Sequence, residues 1–523
     1  MKSAISLLDL IRELPERPEG NPVPVMIGRV TQDSRQVQPG SLFVAVAGGS
    51  TDGHRYIRDA IERGAAAVVG TEPMSGLTTP YLRVEDSRRA LAHLAAAFYR
   101  FPARQLTVIG VTGTDGKTTT ANLIYRILLA AGLQAGLIST VNAQIGRQTL
   151  DTGFHVTTPE APQVQSYLAQ MAAAGLTHVV LEATSHGLAQ QRVAACEFDI
   201  GIITNITHEH LDYHGSFAAY RAAKAGLLTS LAQTPTKPRG NYGIAVLNRD
   251  DGSYAYLNEV LAPYGGRIRQ VSYGLHPQAQ VRGEDIRLLP AGLRFTVNGE
   301  GYQVPVETHL PGEYNALNCL AAFTAAVQGL GLEISAAQAG IAALEGLPGR
   351  MESIDLGQEF LAIVDFAHTP NALRRALEAA RQLVEGRVIA VFGSAGLRDK
   401  AKRWMMAETS AGLADLTVLT AEDPRTESLD GILEEMAAGA VAGGGVEGVT
   451  FWRIPDRGEA IRFALSLARP GDAVLACGKG HEQSMCFGEV EYPWDDRIAM
   501  RAGLADLLGM PGPEAPALPT SRS

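Results

Sequence analysis

The run Leu106-Thr107-Val108-Ile109-Gly110-Val111, followed by Gly113-Thr114-Asp115-Gly116-Lys117-Thr118-Thr119, constrains this chain more than any other segment. The order predicts a buried parallel strand, a tight glycine turn and a helix from about Thr118 to Ala131. In such a turn the backbone N–H groups and the helix N-terminus face bound phosphate. Lys117 would reach the β- and γ-phosphates of ATP, and Thr118 would hold Mg²⁺. The general spacing G-x-x-x-x-G-K-[ST] asks for glycine at 111, where the chain carries Val111; its glycine comes later, at Gly113. The competing reading is a chance Gly-Lys-Thr in a loop. The strand before it and the helix after it speak against chance.

Similar apolar runs recur at 42–45, 66–69, 178–181, 200–203 and 244–247, separated by helical stretches. That alternation predicts an α/β fold with a doubly wound sheet. Beyond Leu344–Arg350 the pattern restarts at 362–364, 388–392, 416–419 and 473–476, which reads as a further Rossmann-like α/β domain. With 523 residues, and roughly 100–200 per domain, three domains are expected. The expected division is 1–100, a smaller N-terminal α/β domain; 101–345, the central ATP-binding domain; and 346–510, the C-terminal domain. Residues 511–523, rich in Pro, Ala and Ser, are expected to form a disordered tail.

Composition narrows the function. The net charge of -10 without a Lys/Arg block argues against nucleic acid as a partner. No apolar run reaches the roughly 20 residues that span a bilayer. Asp9, Glu13 and Glu16 are unlike a secretory signal. Four cysteines (Cys196, Cys319, Cys477, Cys486) without a C-x-x-C pair suggest neither a zinc ribbon nor a redox motif. Their scarcity fits a reducing, cytoplasmic setting.

Three further features carry chemistry. Glu182 ends the predicted strand at 178–181, at the nucleotide edge of a doubly wound sheet, where it could ligate Mg²⁺. The segment Thr204-Asn205-Ile206-Thr207-His208-Glu209-His210-Leu211-Asp212-Tyr213-His214 packs histidines and acids after a strand. It could be a zinc site, a polar loop, or part of a second magnesium site. Magnesium favours oxygen, so His210 would need an anionic companion. Lys224, ten residues past His214, is a cation as it stands.

Together these segments resemble the Mur ligase family of peptidoglycan synthesis. The loop Gly113–Thr119 is similar to that family's shortened phosphate loop, which accounts for the missing first glycine. Folylpolyglutamate synthases have similar loops. The rest of the chain carries the distinction: Asp33-Ser34-Arg35 and Asp52-Gly53-His54; Thr157-Thr158-Pro159; Glu182-Ala183-Thr184-Ser185-His186-Gly187-Leu188, on to Gln190 and Arg192; and Leu310-Pro311-Gly312-Glu313-Tyr314-Asn315-Ala316-Leu317-Asn318. Gly349-Arg350-Met351-Glu352, Val364-Asp365-Phe366-Ala367-His368-Thr369-Pro370, Glu422-Asp423-Pro424-Arg425 and Gly478-Lys479-Gly480-His481-Glu482 complete the set. They resemble the members that add the third amino acid to UDP-N-acetylmuramoyl-L-alanyl-D-glutamate.

The resemblance implies an ATP- and Mg²⁺-dependent amide ligase working through an acyl phosphate. It implies that Lys117, Thr118 and Glu182 serve ATP and a first magnesium, and that Lys224 is carbamylated and joins His210 on a second. Asn315, Asn318, Arg350, Asp365 and His368 would place adenosine and phosphates. Ser34, Thr157, Thr158, Thr184, Ser185, Gln190 and Arg192 would hold the UDP-sugar peptide. Arg398, Asp423, Arg425, Gly478 and Glu482 would hold a diamino acid. A monomer is expected. Two departures bear on the third amino acid: Glu422-Asp423 stands where diaminopimelate-adding members usually have Asp-Asn, and Leu397 where Asp is usual. Arg425 can pair bidentately with a second carboxylate, which favours diaminopimelate; the added negative charge suits the ammonium of L-lysine or L-ornithine. Asp33-Ser34-Arg35 speaks against a folylpolyglutamate-type ligase. Lys117, Glu182, His210 and Lys224 together speak against a non-catalytic nucleotide-binding regulator.

Overall fold

The computed structural model describes residues 4–48, 51–146, 148–150, 158–207, 209–238, 242–289 and 292–521. Thr157 and His208 lie outside the described residues. Every apolar run singled out above is a strand, and the helix after the glycine turn spans Lys117–Ala130.

Three main sheets organise the chain. The N-terminal one has four parallel strands in sequence order: Arg29–Thr31, Ser41–Val44, Ala65–Gly70 and Tyr81–Arg83. The central sheet has eleven strands. At its heart the phosphate-loop strand Thr107–Thr112 lies between His178–Glu182 and Ile200–Ile203, parallel to both. The chain winds one way from Thr107–Thr112 to Ala135–Ile138 and His178–Glu182, then the other way through Ile200–Ile203, Ile244–Asn248 and Arg269–Gly274. Ligands bind at such a reversal, outside the carboxyl ends of the strands. Thr112, Glu182 and Ile203 all end there.

Both faces of this sheet are covered. Leu123, Ile124, Ile127 and Leu128 of the helix Lys117–Ala130 are fully buried on one side, with Ala316, Leu320 and Ile341. Val164, Leu168, Leu227 and Leu228 pack the other. Each such aliphatic burial contributes about 1.5–3 kcal/mol. The phosphate loop therefore stands on a rigid floor.

At its far edge the central sheet continues through Val281–Leu289, which joins Arg269–Gly274 in parallel, and then antiparallel through Gly292–Gly299 and Tyr302–Thr308, an extension the sequence did not announce. The first of these strands carries Arg282, Glu284, Asp285 and Arg287, and its register shifts between Glu284 and Arg287. Its polar alternation is broken there, which hides it from a period-two search.

The C-terminal sheet has six strands: Glu352–Ile354, Leu361–Asp365, Ala473–Cys477, Val388–Phe392, Leu416–Leu419 and Phe451–Arg453. All neighbours pair in parallel except the first two strands. The loops after Asp365, Phe392, Leu419 and Cys477 thus emerge on one side.

The tail expected to be disordered is docked through residue 521. Leu518 is buried against the C-terminal core, and Thr520 and Ser521 donate to Asp456 Oδ2 at 2.9 and 2.8 Å. Asp456 also caps the helix Arg457–Leu467. One apolar side chain and an acceptor already fixed at a helix start are enough to hold a segment whose composition reads as unstructured. Among the described residues no helix is long and apolar enough to cross a membrane.

Candidate active site

Val111 explains the shortened loop. It is a strand residue paired with both Glu182 and Ile202, so the turn begins only at Gly113. A Cβ at Gly113 would fall 1.8 Å from Thr204 Oγ1. Gly116 starts the helix at φ +80°, where a Cβ would meet Asn318 Oδ1 at 2.3 Å. The loop is locked from the next strand's end: Thr114 N donates to Asn205 O at 2.8 Å, and Thr114 Oγ1 meets Tyr220 OH at 2.9 Å.

Thr118 Oγ1 donates between both oxygens of Glu182, at 3.1 and 3.0 Å. Glu182 is buried, and its Oε2 also accepts the Thr140 N–H at 3.0 Å. Lys117 Nζ lies over the loop and donates to Thr114 O at 2.8 Å. From the C-terminal domain Arg350 donates to Thr118 Oγ1 at 3.3 Å and stacks 4.4 Å from the Phe366 ring. Asp365 accepts the N–H groups of Met351 and Ala367, at 2.6 and 2.7 Å. Thr114–Thr119, Asn315, Asn318, Arg350, Asp365 and His368 line one cleft between the two domains.

A second cavity adjoins it. It is lined by Arg398, Asp423, Gly478 and Glu482, together with Glu209, His210, Lys402 and Glu422. Phe366 and His368 line both spaces. His368 Nδ1 donates to Phe366 O at 2.8 Å. Burial lowers its pKa to about 3, so the ring is neutral and Nε2 is left as an acceptor.

Charges in this second cavity are unequal. Lys479 is fully buried; it binds both oxygens of Asp423 at 3.1 Å and Glu482 at 2.5 Å. Burial opposes its charge, but Glu482 and Asp423 outweigh burial and raise its pKa. Glu422 Oε2 is buried without a hydrogen-bond partner among the described residues. Burial lifts its carboxyl to about 7 against the pull of Lys402, Arg457 and Lys479. Burial likewise lifts Glu209 to about 6.

Lys224 lies on the helix Phe217–Ser230 and is 1% exposed. Its Nζ donates to Gly113 O at 2.5 Å. Burial, and then the charge of Lys117, push its pKa well below the usual lysine range. His210 begins a short helix at φ +53°. Burial, then His186, hold its imidazole neutral. Among the described residues no three His, Cys, Asp or Glu side chains converge on a metal-sized cage.

The third group of expected residues meets beneath Glu182. Thr158 Oγ1 donates to Glu182 O at 3.2 Å and accepts the Thr184 N–H at 3.0 Å. Arg192 donates to Thr158 O at 2.7 Å and to Gln190 Oε1 at 2.7 Å. Ser185 Oγ is buried and has no hydrogen-bond partner among the described residues.

Ser34 stands apart, in the short turn Ser34–Gln36 of the N-terminal domain. Arg425 is outside the ring of side chains lining the second cavity. It holds φ +53° and its N–H donates to Cys486 O at 3.1 Å. Leu397 is 61% exposed, so the departure at that position leaves the lining unchanged. Lys402 and Tyr220 were given no role by the sequence reading, and Glu209 entered it only as one of the acids of the histidine-rich segment. No spacing rule marks a lysine four residues past Arg398, or a tyrosine one turn before Lys224.

Residues 27–99 match the Mur ligase family catalytic domain, 111–326 the Mur ligase middle domain, and 349–480 the Mur ligase glutamate ligase domain. The chain is 45% identical over 514 residues to a UDP-N-acetylmuramyl-tripeptide synthetase of Roseiflexus sp. (strain RS-1), covering 96% of this chain and 99% of the relative. The chain belongs to the Mur ligase family. It is also 41% identical to a UDP-N-acetylmuramoyl-L-alanyl-D-glutamate--2,6-diaminopimelate ligase of Geobacillus thermodenitrificans (strain NG80-2), over 93% of this chain and 96% of that one. A solved structure bearing the same ligase name superposes with a TM-score of 0.65 at 29% identity, covering 97% of this chain and 99% of the other. This Mur ligase therefore spans nearly the full length of the relatives it matches.

Proposed function

We propose that this Mur ligase joins a third amino acid, meso-diaminopimelate, to UDP-N-acetylmuramoyl-L-alanyl-D-glutamate at the expense of ATP. One observation carries the reading: Phe366 and His368 border both the cleft over the phosphate loop and the charged cavity beside it. A phosphate held on the loop and an amine held in the cavity can then reach one carbonyl between them.

The D-glutamate side-chain carboxylate attacks the γ-phosphorus; the bond to the β-phosphate oxygen breaks, leaving ADP and an acyl phosphate. The incoming amine attacks the acyl carbon, phosphate leaves, and the ammonium proton is lost. Two anions must approach in the first step. Lys117 and the loop N–H groups supply positive potential where charge is transferred. Arg350, reaching over from the C-terminal domain, adds a second cation.

The residues present fit magnesium. A buried carboxylate sharing a hydroxyl at the loop offers hard oxygen donors. Thr118 and Glu182 would hold one ion, and His210 with carbamylated Lys224 a second. Bound there, the ions would neutralise phosphate charge. Lys224 is suited to carbamylation because it is kept neutral: a free amine adds CO₂, loses a proton and becomes an anionic oxygen donor. Thr158, Thr184, Ser185, Gln190 and Arg192 would bind the muramoyl peptide, with Ser34 on the uridine side.

Support for diaminopimelate comes from the named relative at 41% identity and from Arg398. Its guanidinium is 42% exposed in the second cavity, with Asp212 as an ion-pair partner only at 3.9 Å. A guanidinium so placed can take a carboxylate. The deciding measurement is phosphate release with diaminopimelate, L-lysine and L-ornithine side by side. Preference for either diamine with one carboxylate overturns the choice of third amino acid. Turnover of a folate in place of the muramoyl dipeptide overturns the reaction itself.

A further inference from the structure

Asp115 and Asn371 stand 256 residues apart in the chain and meet across the cleft, Asn371 Nδ2 donating to Asp115 Oδ2 at 2.8 Å. On the central side the Asp115 backbone is fully engaged. Its N–H donates to Asn205 Oδ1 at 3.0 Å, and its carbonyl accepts from Thr204 Oγ1 at 2.6 Å and Asn205 Nδ2 at 3.0 Å. Only its carboxylate is left to respond to anything outside the domain.

Asn371 is the second residue of the helix Pro370–Leu383, whose start is fixed by Thr369 Oγ1 accepting the Ala372 N–H at 3.1 Å. The strand end Asp365 and, in the turn before that helix, His368 line the nucleotide cleft. Movement of the C-terminal domain must therefore carry Asn371 with it. Three other polar bridges cross the same gap: Arg350 to Thr118 at 3.3 Å, Arg398 to Asp212 at 3.9 Å and Lys402 to Glu209 at 4.0 Å. Of these four, the Asn371 bond is the shortest. Hydrogen bonds weaken steeply with distance and misalignment, and those to an ionised acceptor are the strong ones.

We propose that Asn371 is a positioning residue: its bond to Asp115 latches the C-terminal domain onto the phosphate loop and sets the loop's grip on the nucleoside triphosphate. The inference rests on the ligase reading for its substrate, not on which amino acid is added. The carboxylate can only accept, so the pairing also fixes which end of the Asn371 amide faces the loop. Asn371→Asp places two carboxylates at hydrogen-bonding distance and drives the gap open. The reversed pair, Asp115→Asn with Asn371→Asp, keeps one carboxylate, one amide and the net charge, and rebuilds the bond with donor and acceptor exchanged.

The test uses the full-length ligase, with kcat and KM for ATP measured beside small-angle scattering with and without a non-hydrolysable ATP analogue. Asn371→Asp should raise KM for ATP on the order of tenfold, with a smaller change in kcat and less compaction by the analogue. Asn371→Ala should fall between it and the parent, with an unchanged melting temperature. The reversed pair should return KM to within about threefold of the parent and restore compaction, as a coupled pair does in a double-mutant cycle. A reversed pair as impaired as Asn371→Asp overturns the proposal. So does Asn371→Asp with parental KM and compaction. If the parent fails on the muramoyl dipeptide, the ligase reading falls, while analogue binding and compaction still decide on the latch.

Discussion

Two of the buried lysines, one taken from each of the larger domains, meet opposite fates. Lys224 has a backbone carbonyl as its hydrogen-bond partner, and burial drives it toward the neutral amine. Lys479 is equally inaccessible but sits between Asp423 and Glu482, and its charge is kept. Between these two the balance of burial against nearby anions makes the difference: two carboxylates hold the charge of Lys479, whereas for Lys224 burial and then the charge of Lys117 prevail. On the proposed function the first would be a nucleophile for CO₂; the second holds Asp423 and Glu482 at the edge of the second cavity.

The largest expected effect breaks the comparison at Lys224. Lys224→Ala should lower kcat by at least about a hundredfold, the scale of losing one charge-stabilising group. Acetate or formate should restore part of it, because a small carboxylate can take the carbamate's place. Unaltered turnover in Lys224→Ala would remove the carbamate from the mechanism. At Lys479 the loss should be structural. Lys479→Met leaves the buried Asp423 and the part-buried Glu482 without their cation, at up to about 3–5 kcal/mol, seen as lower stability in denaturant. Asp423→Asn in that background should recover part of the loss.

A smaller effect sharpens the contrast through Glu422. Its carboxyl is raised to about 7, above the unfolded value. The folded protein holds a proton there that the unfolded chain gives up, so this group destabilises the fold increasingly as pH rises from about 5 to 7 and levels off above. Glu422→Gln should therefore melt a few degrees higher than the parent at pH 8 and coincide with it at pH 5, by calorimetry. A gain at both pH values would mean that charge at Glu422 is not the cause. Smallest of all, deleting 511–523 should cost roughly 1–3 kcal/mol, from one buried leucine and two hydroxyls on Asp456. Turnover by the truncated enzyme should stay parental, since neither cavity touches that segment.

The same division separates what the sequence disclosed from what it hid. The phosphate loop was legible because strand, turn and helix follow one another within 25 residues, and each has its own local signature. The strand ends carrying Glu182 and Asp365 were legible for the same reason. The state of Lys224 was not, since its neutrality comes first from burial and then from the charge of Lys117, both of which only the fold supplies. Nor was Asn371, whose partner lies in another domain. The extension through Val281–Leu289, Gly292–Gly299 and Tyr302–Thr308 was missed because charged residues and a register shift blur the alternation of its first strand. The tail misled because composition describes a segment alone and not the acceptor waiting for it.

Glu182 has one more implication. Its side chain faces Thr118, while its own backbone carbonyl receives Thr158. On the proposed function, nucleotide and muramoyl peptide are thus gripped on the two sides of a single residue in the middle of a sheet. No hinge lies between them, and their spacing is set by covalent bonds. On the same reading the amino acid would come in on the other domain, and the enzyme would be a vice with one fixed jaw carrying two reactants and one travelling jaw carrying the third.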